Sequence, residues 1–75
     1  MRRIHVGAVY KHFKGKQYRV LAVGRHTETG EELVLYQGLV DGKLWIRPLE
    51  MFMSEVDTKK YPDADQHFRF EELHI

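Results

Sequence analysis

Three groupings in this chain have residue types and spacings that suit chemistry. Tyr36, Trp45 and Arg47 combine two aromatic platforms with a planar cation. Arg presents a donor fork to carboxylate or phosphate and stacks on aromatic faces. Tyr and Trp add apolar area with a polar tip. The same three residues also suit a plainer role, covering half of a small core with the Arg head reaching out to water. Glu50 follows close behind Arg47, either to fix its head for a ligand or as a local salt bridge. His26 and Glu32 flank a loop and resemble an imidazole oriented by a carboxylate, the beginning of an acid–base pair. An ordinary cross-strand surface pair has the same sequence, and no nucleophile stands near them. Lys11, Lys14, Lys16 and Arg19 are a run of cations able to meet phosphate. The chain has no glycine-rich phosphate loop, serine nucleophile elbow or paired catalytic carboxylates. His5, His12, His67 and His74 have no ligand spacing, so neither metal nor cofactor is expected.

The elements that must position these residues are mostly strands. Val9 to Phe13 and Gln17 to Arg25 are rich in β-branched and aromatic residues, with a turn at Lys14-Gly15-Lys16. Glu28-Thr29-Gly30 reads as a three-residue hairpin loop with Gly at the position needing positive φ. Glu32 to Leu39 is the next strand, and Asp41-Gly42 reads as a two-residue turn into Lys43–Arg47. Pro48 ends that strand because it cannot donate to a central ladder. Leu49 to Phe52 is expected to make one helical turn, and Phe68 to Leu73 a last strand. Ser54 to His67 is polar and turn-rich. There is no internal repeat, low-complexity tract or linker. Short strands in a single domain, residues 1–75, with one helical turn predict an all-β fold, a small antiparallel barrel of SH3-like type that hides its edges by closure.

These turn types fix registers. A two-residue turn sets Leu39 against Leu44, Gly38 against Trp45 and Tyr36 against Arg47. A three-residue loop sets His26 against Glu32, Val23 against Leu35 and Ala22 against Tyr36. Side chains alternate across a sheet, so the pairs sort into two faces. Leu21, Val23, Leu35, Leu39, Leu44, Ile46 and Pro48, with Gln37 as a satisfied amide or a specificity group, form the expected core. Tyr18, Val20, Ala22, His26, Glu32, Val34, Tyr36, Trp45 and Arg47, with Gly24 and Gly38 between, form the expected working face, a shallow dish with aromatic walls. A one-residue slip in either turn exchanges the faces.

Composition bounds the rest. Seventy-five residues bury only about 60% of the surface of their unfolded chain, enough for one small core. There is no cysteine, so no disulfide or thiolate site reinforces that core, and a reducing cytoplasmic setting is expected. No apolar stretch is long enough for a signal peptide or membrane span. Net charge is +1, but residues 1–25 carry seven Lys or Arg and no acid, while residues 50–75 are mainly acidic. The two ends are expected to lie side by side and offset one another. A basic patch for nucleic acid is the other reading.

HFKG at 12–15, the Tyr18/Val20 strand, ETGEELVLYQ at 28–37 and WIRPLEMF at 45–52 together resemble the bacterial domain-of-unknown-function family 1653. The resemblance covers roughly residues 8–56, and Arg69-Phe70 resembles that family's closing segment. It implies an SH3-like barrel, against which Thr58 to Gln66 reads as a longer, more acidic insert, and it brings no established activity, hence no catalytic residue.

The leading expectation is a non-catalytic binding module for a peptide, another protein, or a small anionic or aromatic ligand. Tyr36, Trp45 and Arg47 form its site, with Tyr10, His26 and Glu50 around it. Nucleic-acid or nucleotide binding through Lys11, Lys14, Lys16 and Arg19 is the alternative. A small enzyme using His26 and Glu32 is the third, though so small a barrel encloses little volume from which to exclude water. A monomer or weak homodimer is expected, since an exposed aromatic face also suits a dimer contact. No membrane partner is expected.

Overall fold

The computed structural model describes residues 2–74. Strands β1 (Val9–His12), β2 (Gln17–Arg25), β3 (Glu32–Gly38) and β4 (Leu44–Pro48) follow one another. Helix α1 (Leu49–Phe52) comes next and β5 (Phe70–Glu72) last. All pairings are antiparallel, in the order β4-β3-β2-β1-β5. The sheet is open, with β4 and β5 as its edges. The fold is thus an antiparallel five-stranded sheet with one short helix. Pro48 is tolerated inside β4 because that strand is an edge.

Both central hairpins turn through four residues, 27–30 and 39–42, rather than three and two. Gly30 N–H donates to His26 O (2.8 Å) and Gly42 N–H to Gly38 O (3.0 Å). His26–Glu31 and Gly38–Lys43 are the closing backbone pairs. Each loop ends on a glycine with positive φ, 75° at Gly30 and 69° at Gly42, where a Cβ costs about 1–2 kcal/mol. Side chains select the longer loops. Asp41 Oδ1 accepts the Lys43 N–H (3.0 Å), so Asp41 caps the turn instead of forming its first central residue. His26 Nδ1 accepts the Glu28 N–H (3.0 Å) in the same way.

Longer loops change the registers. In β3–β4 the pairs are Tyr36↔Trp45, Val34↔Arg47 and Leu35↔Ile46, a shift of two that leaves the faces intact. In β2–β3 the shift is one, giving Val23↔Val34 and Arg25↔Glu32. A bulge between Val20 and Ala22 then restores the expected face to Tyr18 and Val20. His26 therefore does not oppose Glu32, and Val23 packs on the Tyr36 side with the core cluster.

The expected core and working face are exchanged. Val34 is 0% and Tyr36 3% exposed, whereas Leu44 is 60% and Ile46 68% exposed. Leu21 and Leu39 are also exposed, and Gln37 is a surface amide donating to Gly42 O (2.9 Å). The core is Tyr10, Val20, Val34, Tyr36, Phe52 and Phe70. Phe52 and Phe70 stack at 4.0 Å, and Tyr10 and Tyr36 meet Phe52 edge-on at 5.4 and 5.3 Å. These two phenylalanines lie outside the meander, and they decide which of its faces is covered. Arg2 locks the arrangement by donating to Met53 O (3.2 Å) and Phe70 O (2.5 Å) while its guanidinium lies over Phe68.

The two assignments of the core separate in a substitution pair. Phe52→Ala should cost about 3–5 kcal/mol, most of the stability of so short a chain, while Ile46→Ala should stay within about 0.5 kcal/mol. Urea unfolding of both measures this, and a larger loss at Ile46 would restore the Leu44/Ile46 face as core.

Candidate functional site

Arg47 leaves β4 on the buried side of the sheet, opposite Val34, and its guanidinium lies 5.7 Å from the centre of the Phe70 ring on β5. It therefore bridges the two sheet edges. Its Nη1 is shut off from water and has no hydrogen-bond partner. The ion pairs among the described residues are His5–Glu72, His67–Glu55 and His74–Glu72, so none involves Arg47. A partly buried cation without a carboxylate is costly.

Beside Arg47 is a cavity of about 300 Å³ lined by His12, Phe13, Lys14, Asp57, Lys60, Tyr61 and Arg69, with Val56 at its base. The β1–β2 turn brings Phe13 and Lys14. Residues 53–69 bring Asp57, Lys60, Tyr61 and Arg69, held by the Glu55↔Phe68 bridge and by Arg69 N–H donating to Ser54 O (2.9 Å). Phe13 and Tyr61 meet edge-on at 4.9 Å, and Lys14 lies over the Tyr61 ring. Four permanent cations thus face one acid, Asp57. That acid is occupied locally, its Oδ1 accepting the Lys59 N–H (3.1 Å). Lys14 and Lys60 pull the Tyr61 phenol below its ordinary pKa.

His12 belongs to this field as a neutral group. Burial, then the charges of Arg47, Arg69 and Lys14, lower its pKa from 6.5 to about 4. Its Nδ1 accepts the Lys14 N–H (3.1 Å), which leaves the ring proton on Nε2. Burial raises the Tyr36 phenol, against the pull of the Arg47 guanidinium beside it.

The other residues singled out from the sequence fall elsewhere. Tyr36 is in the core and offers no open platform. Trp45 pairs with it but is 47% exposed and does not line the cavity. Tyr10 is buried, its hydroxyl accepting the His5 N–H (2.8 Å); burial raises its pKa against that bond. Glu50 and Glu32 line a different depression with Arg25, which neither Arg47 nor His26 lines. His26 is a loop cap. Of the four proposed phosphate contacts only Lys14 lines the cavity. Lys11 lies opposite Glu71, Lys16 lies beside Leu39 and Val40, and Arg19 donates to Gly7 O (2.5 Å). Sequence reasoning missed His12, Phe13, Lys60, Tyr61 and Arg69. The HFKG turn was a signal for the first two; the others lie in or beside a segment read as an insert. Among the described residues no three His, Asp or Glu side chains gather as a metal site.

A small open antiparallel sheet with a cationic cavity at its seam is thus the class of protein that the structure defines. The chain belongs to the family described as "Protein of unknown function (DUF1653)", whose model matches residues 8–72. Residues 58–66 lie inside the matched region. No curated protein and no solved structure matches the chain.

The depressed His12 pKa has a stability consequence. Between pH 6.5 and 4 the unfolded chain takes up a proton that the folded chain refuses, so stability falls as pH drops through that window. In urea unfolding across pH 4–7, His12→Gln should show a shallower acid slope than the parent. Identical slopes would mean that His12 is not held neutral by the fold.

Proposed function

We propose that the protein is a non-catalytic binding module that takes a small anionic group in the Arg47 cavity. The observation that carries this is the partly buried Arg47 with no acidic partner, set among Lys14, Lys60 and Arg69. An anion there supplies the missing counter-charge, and Arg geometry favours oxyanions that accept two parallel bonds. The anion belongs to a small ligand or to a peptide side chain or terminus. A continuous nucleic-acid track is less well supported, since Lys11, Lys16 and Arg19 are dispersed from Lys14. We read the fold as SH3-like because a helical turn separates β4 from β5 and β5 pairs back with β1, an order that brings the two edges together around a shared core. The proposal keeps the bacterial, cytoplasmic setting and the monomer or weak dimer expected from the sequence.

Titration of ¹⁵N-labelled protein with inorganic phosphate and with acetate tests the reading. Saturable shifts should cluster at residues 12–14, 47, 60–61 and 69, and weaken with ionic strength. Arg47→Met should weaken binding at least about tenfold, yet leave thermal stability equal or raised, because an apolar replacement removes an unpaired buried charge. A strong loss of stability, or no saturable shift with either anion, would overturn the proposal.

A further inference from the structure

A second cavity adjoins the first. It holds about 310 Å³ and is lined by Phe13, Lys60, Tyr61, Pro62, Asp63 and Ala64. Phe13, Lys60 and Tyr61 line both. The Phe13–Tyr61 pair therefore acts as a wall, with a cationic chamber on one side and a flat, largely apolar chamber on the other. The two chambers differ in charge as well as in polarity, because Asp63 lies only in the second.

We propose that this paired site binds a nucleoside monophosphate group, with the phosphate in the Arg47 chamber and the base against Tyr61 and Pro62. The inference rests on the anion-binding reading above and names its ligand. Charge selects phosphate over carboxylate. Four cations against Asp57 leave an excess that a phosphate monoester, near −2 at neutral pH, offsets better than a carboxylate does. Neutral His12 presents Nε2–H as one more donor without adding charge. The wall selects the spacing. A nucleotide separates its phosphate from its ring by a sugar, which can pass the Lys60 rim. A phenyl phosphate joins the two directly, so its ring would lie among the cations and leave the second chamber empty. Asp63 fixes the orientation, since it repels phosphate and accepts from a sugar hydroxyl or a base amine. Tyr61 and Phe13 provide the aromatic surfaces; Lys14 and Lys60 lie over the Tyr61 ring, so the base stacks there by displacing the flexible Lys60 head, and stacking is tolerant of base identity.

The same chemistry is presented by a free nucleotide and by the phosphorylated end of a nucleic-acid strand. The experiment compares calorimetric affinities for adenosine monophosphate, adenosine, inorganic phosphate, phosphotyrosine, and a trinucleotide with and without a 5′ phosphate. Adenosine monophosphate should bind at least about fivefold more tightly than inorganic phosphate, with adenosine alone far weaker. Tyr61→Ala should remove that excess, lowering the affinity for adenosine monophosphate at least about fivefold more than the affinity for inorganic phosphate. A trinucleotide that binds more tightly than the mononucleotide, and only when phosphorylated, would identify a strand end as the source; equal affinities would identify the free nucleotide. Adenosine monophosphate binding no better than inorganic phosphate overturns this inference and leaves the anion site standing. Phosphotyrosine binding more tightly than adenosine monophosphate overturns it in favour of a phosphorylated peptide. Absence of binding by every phosphate overturns both readings. If Tyr61→Ala does not fold, Tyr61→Leu tests the same contact with its bulk retained.

Discussion

The Phe52–Phe70 stack is the contact on which the structure depends. A four-stranded meander of this length has two faces of comparable hydrophobicity, and nothing within it decides which is covered. The decision comes from α1 and β5, which deliver two phenyl rings to one side, stacked at 4.0 Å and ringed by Tyr10, Tyr18 and Tyr36. Packing one ring from each element against the sheet ties the chain's last strand to the helical turn through a shared hydrophobic surface. It also places β5 beside β1, where Tyr10↔Glu72 and His12↔Phe70 complete the ladder. Arg2 then binds the carbonyls at the ends of both elements, so the N-terminal stretch, α1 and β5 hold one another without any covalent staple.

The cavity is a by-product of the same packing. The ladder leaves β4 and β5 unpaired with each other, yet the shared core brings them near enough for Arg47 to lie over Phe70. A side chain pointing into that seam is screened from water on the core side, where the Tyr36 phenol lies beside it, and meets Lys14 from the β1–β2 turn and Lys60 and Arg69 from residues 53–69, with Asp57 the one acid. Such an arrangement is unfavourable for folding alone, since cation–ring contact at 5.7 Å offsets only part of the desolvation. The anion proposed above would offset that cost.

Strands and helical turn were legible because β-branched periodicity and proline chemistry act locally, although Pro48, expected to close its strand, lies inside β4 at the sheet edge. The registers were legible only modulo the turn. Two errors had opposite outcomes: a two-residue shift at 39–42 left Arg47 on the same face as Tyr36, while a one-residue shift at 27–30 sent Val23 to the other side. The bulge at Leu21 cancelled that slip for Val20 and Tyr18, and no local signal announces it. Core and surface were exchanged for a different reason. Leu44, Ile46 and Leu39 look like core by composition, whereas a face bearing Tyr, Arg and Gly does not. Burial follows what docks on the sheet, and the docking rings are far off in sequence. The site inherited the same limit: Arg47 was identified from its own strand, but Lys60, Tyr61 and Arg69 reach it only through long-range closure.

His12 shows how closely the turn, the core and the cavity are joined. Its ring packs edge-on against Phe70 at 4.9 Å, faces Phe13 at 4.5 Å, and accepts the Lys14 N–H that shapes the β1–β2 turn. The last of these roles requires an unprotonated Nδ1. A second proton would delete the turn hydrogen bond and add a fifth positive charge to the four already there. Burial first, and then the surrounding cations, disfavour that proton and so hold the turn in the conformation that presents Phe13 and Lys14. An anion seated among them relaxes this constraint, because its charge raises the proton affinity of His12 while the fold lowers it. Imidazole protonation and the shape of the turn are in this way coupled through one ring, and an anion bound there as proposed would act on both.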